Sequence, residues 1–425
     1  MLNFKHTTLD NGLRVITAPI VSTKAVTVLF LFGVGSRYED KAHNGLSHFL
    51  EHMFFKGTKN RPSTLDISRE LDSVGAGYNA YTGEEYTGYF VRVPSEHFDM
   101  GLDVLTDMLQ NSKFDAEELE REKGVIIEEI NMYNDDPKSK VELIARELVY
   151  PDQPLGRFVA GVKENIKAVT REEMVSYKNT HYTPENMVIV IAGGQGKTDW
   201  LDAVKEKFAA VPAGAKNDYS KAIEAQSEPQ VRVFKKETDQ VNFILGFRSI
   251  SHLDKRRPIM RVLTNLMGQM MSSRLFIEVR EKRGLCYYVN ADMIDFADTG
   301  FWAVSAGVDP NRAEEAVKVI LAEIEKLKTD LISDEELSRA QENLKGHLYL
   351  GLEESMAVAT YIAEQELLMG KIEDPDHLVK DYEKVTKGEI RSLAQEYFVP
   401  KNLNLAMVAP FLDEERFKKI LNEFK

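Results

Sequence analysis

The sequence predicts an α+β protein made of two homologous domains, each an antiparallel-dominated sheet covered on one face by helices. Three observations lead there. At 425 residues the chain is too long for one ordinary hydrophobic core. Its strand-like segments come in hairpin-like pairs and its long helical segments in runs, where a doubly wound parallel sheet would alternate more regularly. The chain is also written twice. From Thr170 it reads "TREEMVSYKNTHYTPENMVIVIAGG" and from Thr386 "TKGEIRSLAQEYFVPKNLNLAMVAP", an offset of 216 that keeps Thr, Glu, Ser, Pro and Asn in register. "FDAEELEREKGVIIEEI" from Phe114 answers "ISDEELSRAQENLKGHL" from Ile332 at an offset of 218, and "NAYTGEEYTGYFVRV" from Asn79 answers "NADMIDFADTGFWAV" from Asn290. Three pairs in one order at near-constant spacing mark a duplication.

In chain order, Ala25 to Val34 ("AVTVLFLFGV") is a buried strand: it is rich in β-branched and aromatic residues and far short of the roughly 20 residues of a membrane span. Gly45 to Lys56 follows as a helix, with Asn44 or Ser47 near its start as a cap. "GAGYNAYTGEEYTGYF" from Gly75 is a Gly-rich hairpin, and "EREKGVIIEEINMY" from Glu120 is strongly helical. A Thr-capped helix then leads through a Pro turn into an apolar strand, once from Thr170 and again from Thr386. Periodicity stops in "VPAGAKNDYSKAIEAQSEP" from Val211. The expected domains are therefore 1–212 and 230–425, joined by a Pro/Gly/Ser/Ala-rich linker at 213–229.

Composition narrows the chemistry. A single cysteine, Cys286, excludes a disulfide within one chain and a Cys-based zinc cage. A net charge of −14 argues against a nucleic-acid partner, which needs a basic surface. No apolar run is long enough for a membrane span, and the N-terminus has neither a secretory signal nor an organelle presequence, so the expected compartment is the cytoplasm.

One short stretch stands out. "SHFLEHMFFK" from Ser47 puts His48, Glu51 and His52 at i, i+3 and i+4, so on a helix all three leave one face within about 6 Å of one another. Two imidazoles can then reach one cation with a carboxylate beside them, a donor set that suits zinc. The competing reading is the polar face of an amphipathic helix whose Phe49, Leu50, Met53 and Phe54 face the core. Nine histidines in 425 residues make the paired spacing uncommon, and a charged face between apolar flanks is costly without a partner. A third ligand must come from elsewhere. Glu122 and Glu129, seven apart, share a face of the helix that begins near Glu120, and Glu128 competes with Glu129.

Together these residues resemble the inverted-zincin peptidases of the pitrilysin and insulinase family (M16), the group that includes mitochondrial processing peptidase. The resemblance spans the chain: "LDNGLRVI", "GSRYED" from Gly35, "GLSHFLEHMFFKGT" from Gly45, "NAYT" at Asn79, "VIIEEI" at Val125 and "REKRGLCYYV" from Arg280. It implies a zinc endopeptidase, with His48, His52 and Glu129 as metal ligands, Glu51 as general base and Glu122 as a supporting carboxylate. The second half reads "LMGQMM" from Leu266 near the place of the His pair, with His347 opposite Glu129 and Ala340 opposite Glu122. It cannot build the site, so one zinc per chain is expected. There Arg280 and Tyr287 match a family pair that reaches substrate and stabilises the oxyanion. Family members made as one long chain carry four such domains, with the zinc in the first and this pair in the fourth. A two-domain chain then implies a homodimer in which Arg280 and Tyr287 serve the other subunit's zinc. The peptide substrate is expected to lie along the strand carrying Gly77, Asn79, Ala80, Tyr81 and Thr82, inside an enclosed chamber. Two rivals are an HxxEH metal-dependent lyase like S-ribosylhomocysteine lyase, which uses a cysteine ligand, and a non-catalytic partner subunit of the same family.

Overall fold

The computed structural model describes residues 2–216 and 218–425. Met1, at the start of the expected first domain, and Asn217, inside the expected linker, lie outside the described residues. The chain divides into two compact units, neither of them continuous in sequence. One takes the chain through Asn131, then Arg157–Ser220 and Leu350–Asp374; the other takes Met132–Gly156, Lys221–Tyr349 and Pro375–Lys425. Among the described residues, no helix is long and apolar enough to cross a membrane.

The first unit is built on six strands, β1 (Lys5–Thr8), β2 (Arg14–Pro19), β3 (Ala25–Phe32), β4 (Gly77–Thr82), β5 (Thr87–Pro94) and β6 (Met187–Gly193), in the order β1-β2-β6-β3-β5-β4. Among the described residues of this unit only β2 and β6 pair in parallel; the other neighbours are antiparallel. The run of β3, apolar except for Thr27, has a simple cause: both of its faces are buried. Val26, Val28, Phe30 and Phe32 pack with Leu46, Phe49, Leu50, Met53 and Phe54 of the helix Leu46–Phe54. Leu29 and Leu31 point the other way, onto Val358, Ala359, Ile362, Ala363 and Leu367. These last five come from the helix Ser355–Glu364 and the π-turn after it, far along in the second half of the sequence.

The second unit repeats the scheme with five strands, β7 (Gln230–Lys235), β8 (Val241–Ser249), β9 (Cys286–Asp295), β10 (Gly300–Val308) and β11 (Leu403–Ala409), in the order β7-β11-β8-β10-β9. One face carries its own helices; Ile244, Ala406 and Val408 on the other are covered by Val141, Ile144, Ala145 and Val149 of the helix Pro137–Val149, which the sequence places in the first half. Pro137 and Ser355 are related by the same offset of 218 that links the duplicated segments. The two halves have thus exchanged equivalent helices. Sequence reading put helices on one face of each sheet; the exchanged helix covers the second face as well.

The duplication extends to the capping of equivalent helices. Thr170 and Thr386 each accept from the backbone N–H three residues on, while Glu173 and Glu389 reach back to the cap. The helices Arg171–His181 and Lys387–Tyr397 then feed β6 and β11, which lie 216 residues apart. Described residues from 212 to 229 form neither helix nor strand.

Candidate metal centre

The helix Leu46–Phe54 starts in an unexpected way. Its N-cap is Gly45, with φ +103 and no side-chain cap, so neither Asn44 nor Ser47 caps it. A Cβ at Gly45 would sit 2.8 Å from the Ala160 carbonyl oxygen, in a backbone region that disfavours any side chain. The cap is Glu39, 4 % exposed, whose carboxylate accepts from the N–H groups of Gly45 (2.8 Å) and Ser47 (2.6 Å) and from Asn44 Nδ2 (3.1 Å). It satisfies two of the helix's free amides and meets the positive end of its dipole. Burial pushes the Glu39 carboxyl upward in pKa, against the pull of these donors. Sequence reading missed this role because the cap lies outside the usual capping window, although Glu39 stands in the quoted "GSRYED".

With the apolar side of this helix in the core, His48, Glu51 and His52 emerge together, each half-buried. The helix Ala116–Asp135 brings Glu129 opposite them. His48 Nε2 lies 3.6 Å from Glu129 Oε1, and His52 Nε2 lies 3.5 Å from Glu129 Oε2. One ligand atom from each of the three falls within 4.8 Å of the others. Distances of 3.5–3.6 Å are too long for good hydrogen bonds. They match the spacing of about 3.3 Å between donors that share a zinc at bond lengths near 2.0–2.1 Å. Glu128 is exposed and accepts from Asn131, so of these two neighbours it is Glu129 that faces the histidines. Burial opposes protonation of His48, but Glu129 beside it more than offsets this and holds the imidazole above its ordinary pKa. His48 in turn holds the Glu129 carboxyl low.

The surrounding groups orient this set. Glu122, 3 % exposed, accepts from His52 Nδ1 at 2.8 Å and pairs with Lys56 Nζ at 2.6 Å. Burial raises its pKa, but those two partners outweigh it and keep the carboxyl ionised. With Nδ1 so engaged, His52 offers Nε2 toward Glu129. His48 Nδ1, by contrast, is buried with no hydrogen-bond partner among the described residues. Glu51 accepts a short hydrogen bond from the Thr82 hydroxyl. That contact joins the helix to β4, the open edge of the first sheet, whose Gly77, Asn79, Ala80 and Tyr81 precede Thr82. Two imidazoles and a carboxylate, groups able to hold a metal ion, thus converge beside a second carboxylate, Glu51.

Arg280 and Tyr287 belong to the second unit and lie together: the guanidinium sits 5.3 Å from the Tyr287 ring centre and 4.8 Å from that of Phe276. Tyr287 is 76 % exposed. His347 is exposed, and the second unit holds no group of three metal-ligating side chains among the described residues.

Comparison with known proteins matches the two halves to different family models. Residues 14–163 match the model of the insulinase family (peptidase family M16), and residues 168–344 match the model described as the peptidase M16 inactive domain. The chain is 34% identical over 419 residues to an uncharacterized zinc protease of Streptomyces coelicolor, covering 97% of this chain and 90% of the relative. It is 34% identical over 406 residues to an uncharacterized zinc protease of Bacillus subtilis, covering 96% and 98%. A protease from Helicobacter pylori shares the fold with a TM-score of 0.90 at 23% identity, over 96% of this chain and 100% of the other. An M16 inactive-domain protein from Pseudomonas fluorescens does so at 0.89 and 16%, over 97% and 99%. The chain belongs to the insulinase family, peptidase family M16.

Proposed function

We propose that this chain is a zinc-dependent endopeptidase that holds one zinc through His48, His52 and Glu129 and cuts peptides or unfolded segments. The observation that carries the proposal is the convergence of those three groups, with Glu51 on the same helix face and hydrogen-bonded to an open sheet edge. Zinc held there would act as a Lewis acid that makes water a competent nucleophile near neutral pH. Glu51 takes a proton from the attacking water and returns it to the departing amine. The Thr82 hydroxyl points one carboxylate oxygen of Glu51 while the other stays available. Glu122 keeps the His52 ring from turning. A substrate strand added to β4 is held by backbone bonds from Gly77 through Thr82, which makes affinity tolerant of sequence.

The proposal extends to a homodimer enclosing a chamber, in which the Tyr287 hydroxyl of one subunit donates to the developing oxyanion in the other and Arg280 contacts the substrate. The exposure of Tyr287 supports this, since a buried phenol could not serve a partner. The compartment we propose is the cytoplasm. A chain with one cysteine forms no internal disulfide, in keeping with a reducing environment.

Metal analysis together with cleavage of a quenched peptide library tests the function. Glu51→Gln keeps zinc and loses cleavage; metal loss, or activity within a few-fold of wild type, refutes the assigned role. Zinc binding without cleavage of any peptide favours the non-catalytic partner reading. Mixing Glu51→Gln chains with Tyr287→Phe chains restores activity, because one of the two hybrid sites has both residues intact. No recovery in verified heterodimers refutes action across subunits.

A further inference from the structure

At the end of β4 away from Glu51, the first unit has a second feature. A hollow of about 890 Å³ opens between the start of β4, the end of β5 and the beginning of the helix Ser355–Glu364. Its walls are partly apolar, with Phe90 and Met356, and its charged groups are Lys24, Arg92 and Glu354. Arg92 Nη1 pairs with Glu354 Oε2 at 3.0 Å. That uses a single donor of a guanidinium that carries five. Lys24 is exposed and makes no ion pair among the described residues. Two cations therefore face one anion, on a protein whose net charge is −14. A local positive excess on so acidic a chain favours anions at that spot.

Strand register ties the hollow to the sheet edge. Gly77 stands opposite Arg92 and Asn79 opposite Phe90, so these four residues share one face. Tyr81 and Phe90 pack on the cluster around the Ser355–Glu364 helix, whereas Tyr78 and Ala80 pack on the cluster around the metal-bearing helix. A peptide strand added to β4 alternates in the same way. Its side chain opposite Gly77 falls on the face of the hollow, where glycine leaves room: a Cβ there would meet only Arg92 Cβ, at 4.0 Å. Thr82, which touches Glu51, is five residues further along β4, so the hollow lies about 17 Å along the strand from the base, at roughly 3.4 Å per residue.

We propose that this hollow is a carboxylate-binding subsite, in which Lys24 and Arg92 hold an acidic side chain or the free C-terminus of a peptide lying along β4. The subsite rests on the reading of β4 as the substrate strand. It makes charge at one distant position a specificity determinant, while the backbone pairing itself stays indifferent to sequence.

The test uses the zinc-loaded protein and quenched peptides that differ only in the residue about five positions from the cut bond, on either side: Asp, Asn or Lys. One set has an amidated C-terminus; another is neutral and ends there with a free carboxylate. Acidic or free-carboxylate peptides exceed the Lys peptides about tenfold in kcat/KM, mainly through KM, and the advantage shrinks as salt rises. The double variant Lys24→Glu and Arg92→Glu reverses the preference; Lys24→Glu alone, on an exposed side chain, weakens it. Binding of labelled peptides to the Glu51→Gln protein follows the same order. Cleavage with no dependence on charge at that position overturns the subsite and leaves the peptidase reading standing. Charge-ordered binding without cleavage by the wild-type protein supports the subsite and overturns the peptidase reading.

Discussion

Ile362 belongs to the second half by sequence and to the first unit by packing, and that conflict makes it the sharpest probe of the exchanged helices. Its side chain is fully buried with Leu29, Leu31, Val188 and Val190 on the face of the first sheet away from the helix Leu46–Phe54. Ile362→Ala removes buried methylenes at a site walled by a sheet that cannot collapse to fill the gap. The expected loss is about 2–5 kcal/mol, the range for such truncations. At 1.4 kcal/mol for each factor of ten, this speeds exchange of amides that open with the unit by about thirtyfold to a few thousandfold. Hydrogen exchange read by mass spectrometry shows where the loss falls. It is expected in β3 and β6, more than 160 residues away in sequence, with β8, β10 and β11 retaining their protection. Loss confined to the strands of the second unit refutes the exchange. The reciprocal change, Ile144→Ala, is expected to loosen β8 and β11, because Ile144 packs on Ile244 and Val408. By the same reasoning, residues 1–220 expressed alone leave one sheet face uncovered. Burial of Val358, Ile362 and Leu367 alone contributes roughly 5–9 kcal/mol, comparable with the 5–15 kcal/mol that holds a whole domain.

Three further outcomes are expected. Glu122→Gln leaves His52 Nδ1 without its charged acceptor and weakens zinc binding about 10- to 100-fold in competition with a chelator; unchanged affinity refutes the orienting role. Glu39→Gln leaves at least one of the Gly45 and Ser47 amides poorly paired, costs about 1–3 kcal/mol in urea unfolding of the metal-free protein, and lowers its midpoint; an unmoved midpoint shows that the cap is dispensable. In the second unit burial pushes the Glu336 carboxyl up, but Arg274 (2.7 Å) and the Ser333 N–H (3.0 Å) outweigh it and hold the pKa at about 2. A carboxyl lowered on folding adds stability above its unfolded pKa and loses it as pH falls toward the folded value. The contribution is therefore present at pH 5 and above and fades between about pH 4.5 and pH 2. Glu336→Gln flattens that part of the stability–pH curve, and identical curves for the two proteins refute the assignment.

Much of the candidate site was legible because it is local. His48, Glu51 and His52 sit within five residues on one helix, and helical geometry alone puts them on one face. Glu129 was legible only as one of several carboxylates until the family pattern selected it, because spacing of 77 residues carries no geometry. The tertiary structure supplies the geometry: Glu129 faces both imidazoles and Glu128 faces solvent. The hydroxyl of Thr82 on Glu51 and the carboxylate of Glu39 on the helix start are contacts between elements, and no pattern within one element encodes them.

The amino-acid sequence by itself determined the element types, the duplication and the polar face that carries two histidines, because each follows from short-range periodicity or from repetition. The largely apolar segments that became β3 and β6 marked buried strands, and the expectation from sequence was a helical cover on one face of each sheet. Only the tertiary structure decided that each sheet takes its second cover from the opposite half of the chain. An apolar helix buries equally well on either of two homologous sheets, so hydrophobic pattern cannot choose between them. That choice depends on where the preceding helix ends in space, which the packing of the whole chain sets.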